Sequence, residues 1–122
     1  MSIEYTIDRS LIVVTPYGVN AFEDVATVFE KIIADPAFNA PARILFDARH
    51  TDYGPPSEEL EALAEFLAKH DAYRQSRWAI VANSNTLVYC LTRMFCCLAE
   101  SQGIYAEPFS DYDQARAWLV MP

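Results

Sequence analysis

The feature that most constrains this chain is a change of period along it. Residues 3–8 (IEYTID) alternate apolar and polar, and after Asp8-Arg9-Ser10 an apolar run continues from Leu11 as LIVVTPYG. A side-chain period of two belongs to a strand, and two such runs about a polar turn make a hairpin. Pro16 and Gly18 end the second strand. From Asn20 the period lengthens. Phe22, Val25, Ala26, Phe29, Ile32 and Ile33 share one side, while Glu23, Asp24, Thr27, Glu30 and Lys31 take the other. That spacing predicts an amphipathic helix, closed by Asp35-Pro36.

Strands and helices then alternate. Arg43-Ile44-Leu45-Phe46-Asp47 is short and apolar enough to lie inside a sheet. The loop from His50 to Pro56 contains Gly54-Pro55-Pro56, which no helix or central strand tolerates. Ser57 is placed to cap the next helix, with Glu58 and Glu59 in its first turn and Leu60, Leu63, Ala64 and Leu67 inward. Trp78 to Ala82 reads as a fourth strand, and about Ser84 to Ser101 as a helix stopped by Gly103. Ile104 to Phe109 is a fifth strand, and its Pro108 assigns it to a sheet edge. The last helix opens at Ser110 or Asp111 and buries Ala115, Trp118 and Leu119. The order β-β-α-β-α-β-α-β-α predicts an α/β fold: a mixed, mostly parallel sheet of about five strands with four helices. A length of 122 residues suits one domain, 1–122, since two would each bury too little apolar surface.

Charge and composition narrow the function classes. A net charge of −8 disfavours nucleic acid and anionic membrane surfaces, both of which attract basic fields. No window approaches the roughly 18 apolar residues of a membrane span. MSIEYTID enters a strand pattern without a basic, signal-like leader, so a cytoplasmic protein is expected. Cys90, Cys96 and Cys97 all fall in one helix without a C-x-x-C spacing, which argues for reduced thiols rather than a disulfide or zinc site.

Several segments together resemble a known family. Arg43-Ile-Leu-Phe-Asp47-Ala-Arg49, the Pro-rich loop, the acidic helix with Leu-Ala-Glu-Phe-Leu, Trp78-Ala-Ile-Val-Ala and the ending Phe109-Ser-Asp-Tyr-Asp-Gln-Ala-Arg-Ala-Trp118-Leu119 resemble the SpoIIAA-like proteins of the STAS superfamily. The resemblance implies a small, bacterial-type cytosolic domain that acts by binding partners. It also implies a switch by phosphorylation of the serine that begins the helix after the third strand, and Ser57 stands at that place. The family's Asp-Ser-Ser-Gly pattern is absent, however, and Gly54-Pro-Pro-Ser57-Glu-Glu replaces it. A phosphate there would meet two glutamates. A second implied relationship is to CRAL-TRIO-type lipid carriers.

Open parallel sheets bind ligands beyond the carboxyl ends of their strands. That rim collects Tyr17, the segment Asp47 to Tyr53 with His50, then Ser57, and Asn83. Asp47, His50 and Asp52 form the single cluster of a histidine with carboxylates, a set that could hold a divalent metal or move a proton. Its spacing matches no metal motif, and Asp47 pairing with Arg49 or capping loop amides is the simpler reading. No nucleophile elbow, Walker loop or dinucleotide fingerprint is present.

The helix from Ser84 to Ser101 is apolar nearly all round. Leu87, Cys90, Leu91, Met94, Cys97 and Leu98 read as its inner face, with Cys90 a buried, inert thiol. Val88, Thr92, Phe95 and Ala99 form a second stripe that would meet another subunit, a partner or an apolar ligand. The expected function is therefore a non-catalytic binding or regulatory domain with no cofactor. It would engage a protein partner or small apolar ligand at the rim, with a homodimer through Val88, Thr92 and Phe95. A lipid-like ligand carrier is the alternative, and a small enzyme or metal site on Asp47, His50 and Asp52 comes third.

Overall fold

The computed structural model describes residues 2–52 and 54–121. The elements run β1 (Ser2–Asp8), β2 (Leu11–Tyr17), α1 (Phe22–Ala34), β3 (Arg43–Asp47), a 3-10 turn at Ala48–His50, and α2 (Ser57–Ala68). There follow α3 (Asp71–Arg74), β4 (Arg77–Val81), α4 (Leu87–Ser101), β5 (Tyr105–Phe109) and α5 (Tyr112–Leu119). One five-stranded sheet has the order β1-β2-β3-β4-β5. β1 pairs antiparallel with β2, and every later pair is parallel. The expected α/β order is found, with the one-turn helix α3 added to it. Among the described residues no helix is long and apolar enough to cross a membrane.

Because each parallel crossover steps one strand in the same direction, right-handedness sends α1, α2 and α4 to the same face. Strand alternation follows this split. Ile12, Val14, Ile44, Trp78 and Ile80 turn into the main core beneath those helices. Leu45, Ala79 and Val81 turn the other way, where Ala115 and Leu119 of α5 cover them. β3 and β4 are thus apolar on both sides, whereas β1 alternates, with Ile3, Tyr5 and Ile7 half-buried and Glu4, Thr6 and Asp8 exposed.

An aromatic group anchors the main core. Trp78 and Tyr73 are buried, with ring centres 5.3 Å apart, and Phe29 of α1 lies 5.3 Å from Trp78. Their polar atoms are satisfied. Trp78 Nε1 donates to the Tyr73 carbonyl at 3.0 Å, and the Tyr73 hydroxyl donates to the Phe29 carbonyl. β5 is an edge strand as expected, and its Pro108 stands opposite Ile80.

Helix α4 differs from expectation. Its buried residues are Thr92, Phe95, Cys96 and Ala99, while Leu87 is 69% and Met94 44% exposed. The stripe read as an outer interface is therefore the inner face, and the stripe read as inner carries the exposed Leu87, Cys90, Met94 and Cys97. With apolar residues on both stripes, periodicity alone could not choose between them. Packing against β5 and α2 makes the choice, because the smaller Thr92, Cys96 and Ala99 let the helix approach closely.

This orientation predicts unequal costs. Phe95→Ala is expected to lower the unfolding free energy by about 3 kcal/mol, as for other buried aromatic truncations. Leu87→Ala should change it by about 0.5 kcal/mol or less. Urea denaturation measures both, and a reversed ranking would contradict the orientation of α4.

Candidate functional site

The rim at the carboxyl ends of the strands is built on Asp47, the last residue of β3. Its side chain is almost completely buried and is held bidentately by Arg49, with Nε to Oδ1 and Nη2 to Oδ2 both at 2.8 Å. Oδ1 also accepts from the Arg49 amide at 3.2 Å and so caps the 3-10 turn. Burial pushes the Asp47 carboxyl up, but the hydrogen bonds and charge of Arg49, with His50 beside it, outweigh burial and hold it below the usual carboxylate value. The Asp47 carboxylate in turn raises Arg49. The Arg49 guanidinium lies over the ring of Tyr112 at 4.7 Å, which ties the rim to α5.

His50 is exposed beside this pair. Its Nε2 is 4.0 Å from Asp47 Oδ2, and its ring stacks on Tyr17 with centroids 5.6 Å apart and planes at 18°. The stack is held from behind by the backbone: the Gly18 amide donates to the His50 carbonyl at 3.0 Å, and the Asp52 amide donates to the Gly18 carbonyl at 2.9 Å. Asn83 joins from the end of β4, its Nδ2 donating to the Arg49 carbonyl at 3.3 Å. Behind the rim, the buried Asn20 donates from Nδ2 to Thr51 Oγ1 at 3.0 Å, and Thr51 donates to the Gly18 carbonyl at 2.8 Å. Among the described residues Asn20 Oδ1 has no hydrogen-bond partner.

Thr51 joins the polar rim to an apolar cavity of about 60 Å³ between α2, α4 and the sheet. Phe46, Trp78 and Ile80 form its floor, and Leu60, Leu63 and Leu67 of α2 one wall. Val88, Leu91, Thr92 and Phe95 of α4 form the other wall, and Ala48, Thr51 and Pro55 of the β3–α2 loop cover it. Gly54 brings that loop over Leu91: a side-chain carbon at residue 54 would meet Leu91 Cδ1 at 3.8 Å.

The structure therefore gathers Tyr17, Asp47, His50 and Asn83, all read from the sequence as rim residues. Tyr53 lies outside the described residues. Ser57 is exposed and is the first residue of α2 rather than its cap; Pro56 takes the capping position in an extended conformation, without a side-chain cap. Val88, Thr92 and Phe95, read as an outward stripe, line the cavity within the chain, because α4 packs with that stripe against the sheet. Asp52 is not drawn into a cluster with Asp47 and His50. Among the described residues, no three His, Cys, Asp or Glu side chains gather as a metal site would require. Cys90 is exposed, not buried; the buried thiol is Cys96, pushed up to about 12 by burial.

Asn20 is not read from the sequence as a rim residue, and Thr51 falls there only within the segment from Asp47 to Tyr53. Asn20 precedes the α1 pattern, where asparagine normally signals a helix cap, yet here its amide turns inward to the loop.

No family model matches the sequence, and no curated protein matches it. Among solved structures the chain is similar to an uncharacterized protein of the DUF3478 family with a SpoIIAA-like fold from Shewanella loihica PV-4. The TM-score is 0.61 over 97% of this chain and 92% of that one, at 17% sequence identity. At that identity the likeness is one of fold. The fold is SpoIIAA-like, as the sequence resemblance implied.

The Asp47–Arg49 pair has a pH signature. Asp47→Asn is expected to lower stability near neutral pH by about 1–3 kcal/mol, the cost of a lost charged hydrogen-bond acceptor in a buried place. The folded carboxyl lies below the unfolded value of about 3.9, so its contribution is full above that value and is lost as pH falls through the lowered one. Urea titrations of wild type and D47N should therefore converge on acidification. A gap that stays constant with pH would contradict the pairing.

Proposed function

We propose that this chain is a non-catalytic binding domain that receives an apolar group in the cavity between α2, α4 and the sheet. The polar remainder of the bound molecule lies on the rim formed by Tyr17, His50 and Asn83. The observation that supports this reading is the cavity itself, walled almost wholly by aliphatic and aromatic side chains, with Thr51 of its lining bonded to Gly18 of the rim loop. Ligand sites commonly combine an apolar concavity with a few polar groups that orient the occupant.

Size decides between occupants. A volume of about 60 Å³ exceeds the roughly 10–15 Å³ that one water needs, yet the largely apolar walls offer water few hydrogen bonds. It is well below the roughly 150 Å³ that accommodates benzene in an engineered core cavity. A long lipid chain would require α4 to move away from the sheet, so the lipid-carrier alternative has less support. A branched alkyl tip matches better, carried by a small ligand or by a partner's aliphatic side chain. Filling an empty cavity of this size recovers roughly 1–1.5 kcal/mol at about 24 cal/mol per Å³.

Isopentanol serves as the probe. Its addition should produce saturable methyl chemical-shift changes at Leu60, Leu91 and Ile80. Thr92→Leu, which fills the cavity with the protein's own atoms, should abolish them while leaving stability unchanged or raised by about 1 kcal/mol. Shifts that never saturate, or that survive in T92L, would remove the proposal.

A further inference from the structure

A second concave site lies at the opposite end of the sheet, where β3 and β4 begin. Arg43 and Arg77 are the first residues of these strands and stand side by side as register partners. Like charges directly opposite on neighbouring strands repel. The two arginines line a cleft of about 500 Å³ with Arg74, Gln75, Ser76 and Tyr105. Three of the chain's nine basic residues meet there, and none of its 17 acidic residues lines the cleft. On a protein of net charge −8 this is a local inversion of sign, not a sample of the average surface.

The basic groups are positioned rather than loose. Ser76 is 3% exposed, accepts from the Ala42 amide at 3.0 Å and donates to the Ala72 carbonyl at 2.7 Å, fastening the two strand starts together. Arg77 Nη1 donates to the carbonyls of Trp118 at 2.9 Å and Met121 at 2.8 Å, and its guanidinium lies 5.0 Å from the centre of the Trp118 ring. Arg43 Nη1 donates to Ser10 Oγ at 3.0 Å. Among the described residues, Arg74 is the one of the three with a carboxylate partner, the exposed Asp71. The Nε and Nη2 donors of Arg43 and Arg77 meet no protein acceptor among the described residues.

We propose that this cleft binds a small oxyanion ligand through a phosphate or carboxylate group. Arg43 and Arg77 supply the donors, and Arg74 adds charge from the α3 side. Paired guanidiniums suit such groups because each presents a planar fork of N–H donors. An anion between them would also remove the repulsion that the register imposes. The site is at the other end of the sheet from the apolar cavity and does not depend on how that cavity is used.

Amide NMR titration tests it, with inorganic phosphate in one arm and acetate in the other, and sodium chloride holding ionic strength constant. Saturable shifts at Ala42, Arg43 and residues 74–77 are expected, and the arm that saturates at lower concentration identifies the oxyanion chemistry. Arg43→Gln should weaken binding about tenfold, the loss of one charge-assisted contact. Arg74→Gln should weaken it less, and it keeps the test intact if R43Q fails to fold. The proposal is overturned if both arms give only linear shifts like those of chloride. Saturation elsewhere on the surface, or undiminished binding in well-dispersed spectra of both variants, would overturn it equally.

Discussion

The handedness of the crossovers governs most of what this molecule can do. Three successive parallel steps in one direction put α1, α2 and α4 on a single face of the sheet. Two helices laid side by side on a twisted sheet leave a seam, and the apolar cavity is the unfilled part of that seam. The same arrangement would leave β3 and β4 bare on their reverse, and α5 supplies the missing cover with Ala115 and Leu119. It also brings the carboxyl ends of β2, β3 and β4 to one edge and the starts of β3 and β4 to the other. The Tyr17–His50 rim and the Arg43–Arg77 pair are thus opposite ends of one topological decision.

Within that frame the aromatic group of Phe29, Tyr73 and Trp78 connects α1, α3 and β4 through both ring contacts and satisfied polar handles. Trp78 serves twice, as the centre of the core and as part of the cavity floor. The floor of the cavity is held by hydrogen bonds within the core.

Much of the fold was legible because the local signals agreed with the global arrangement. The apolar runs of β3 and β4 required burial on both faces, the alternation of β1 required one wet face, and Pro108 required an edge. What was not legible depended on choices made by tertiary packing. Both stripes of α4 are apolar, so Phe95 and Leu87 compete equally by pattern, and only the approach of the sheet separates them. The single turn of α3 is shorter than any period that could announce it. At the rim, topology brought Tyr17, Asp47, His50 and Asn83 to one edge, but the inward turn of Asn20 onto Thr51 depends on a backbone bridge between Gly18 and Thr51 that no local pattern encodes.

Pro108 carries a consequence for how this protein meets others. The Phe109 carbonyl accepts from the Ala82 amide at 3.0 Å, so Phe109 directs its backbone groups toward β4, and alternation turns those of Pro108 outward. The ring therefore deletes no bond inside the sheet, but it leaves a gap in the donor row that an incoming strand would need. At the far margin β1 presents Glu4 and Asp8 on its open face, where a second acidic copy would meet repulsion. Growth of the sheet from chain to chain is thereby discouraged at both margins, which leaves its backbone donors and acceptors to pair within one chain.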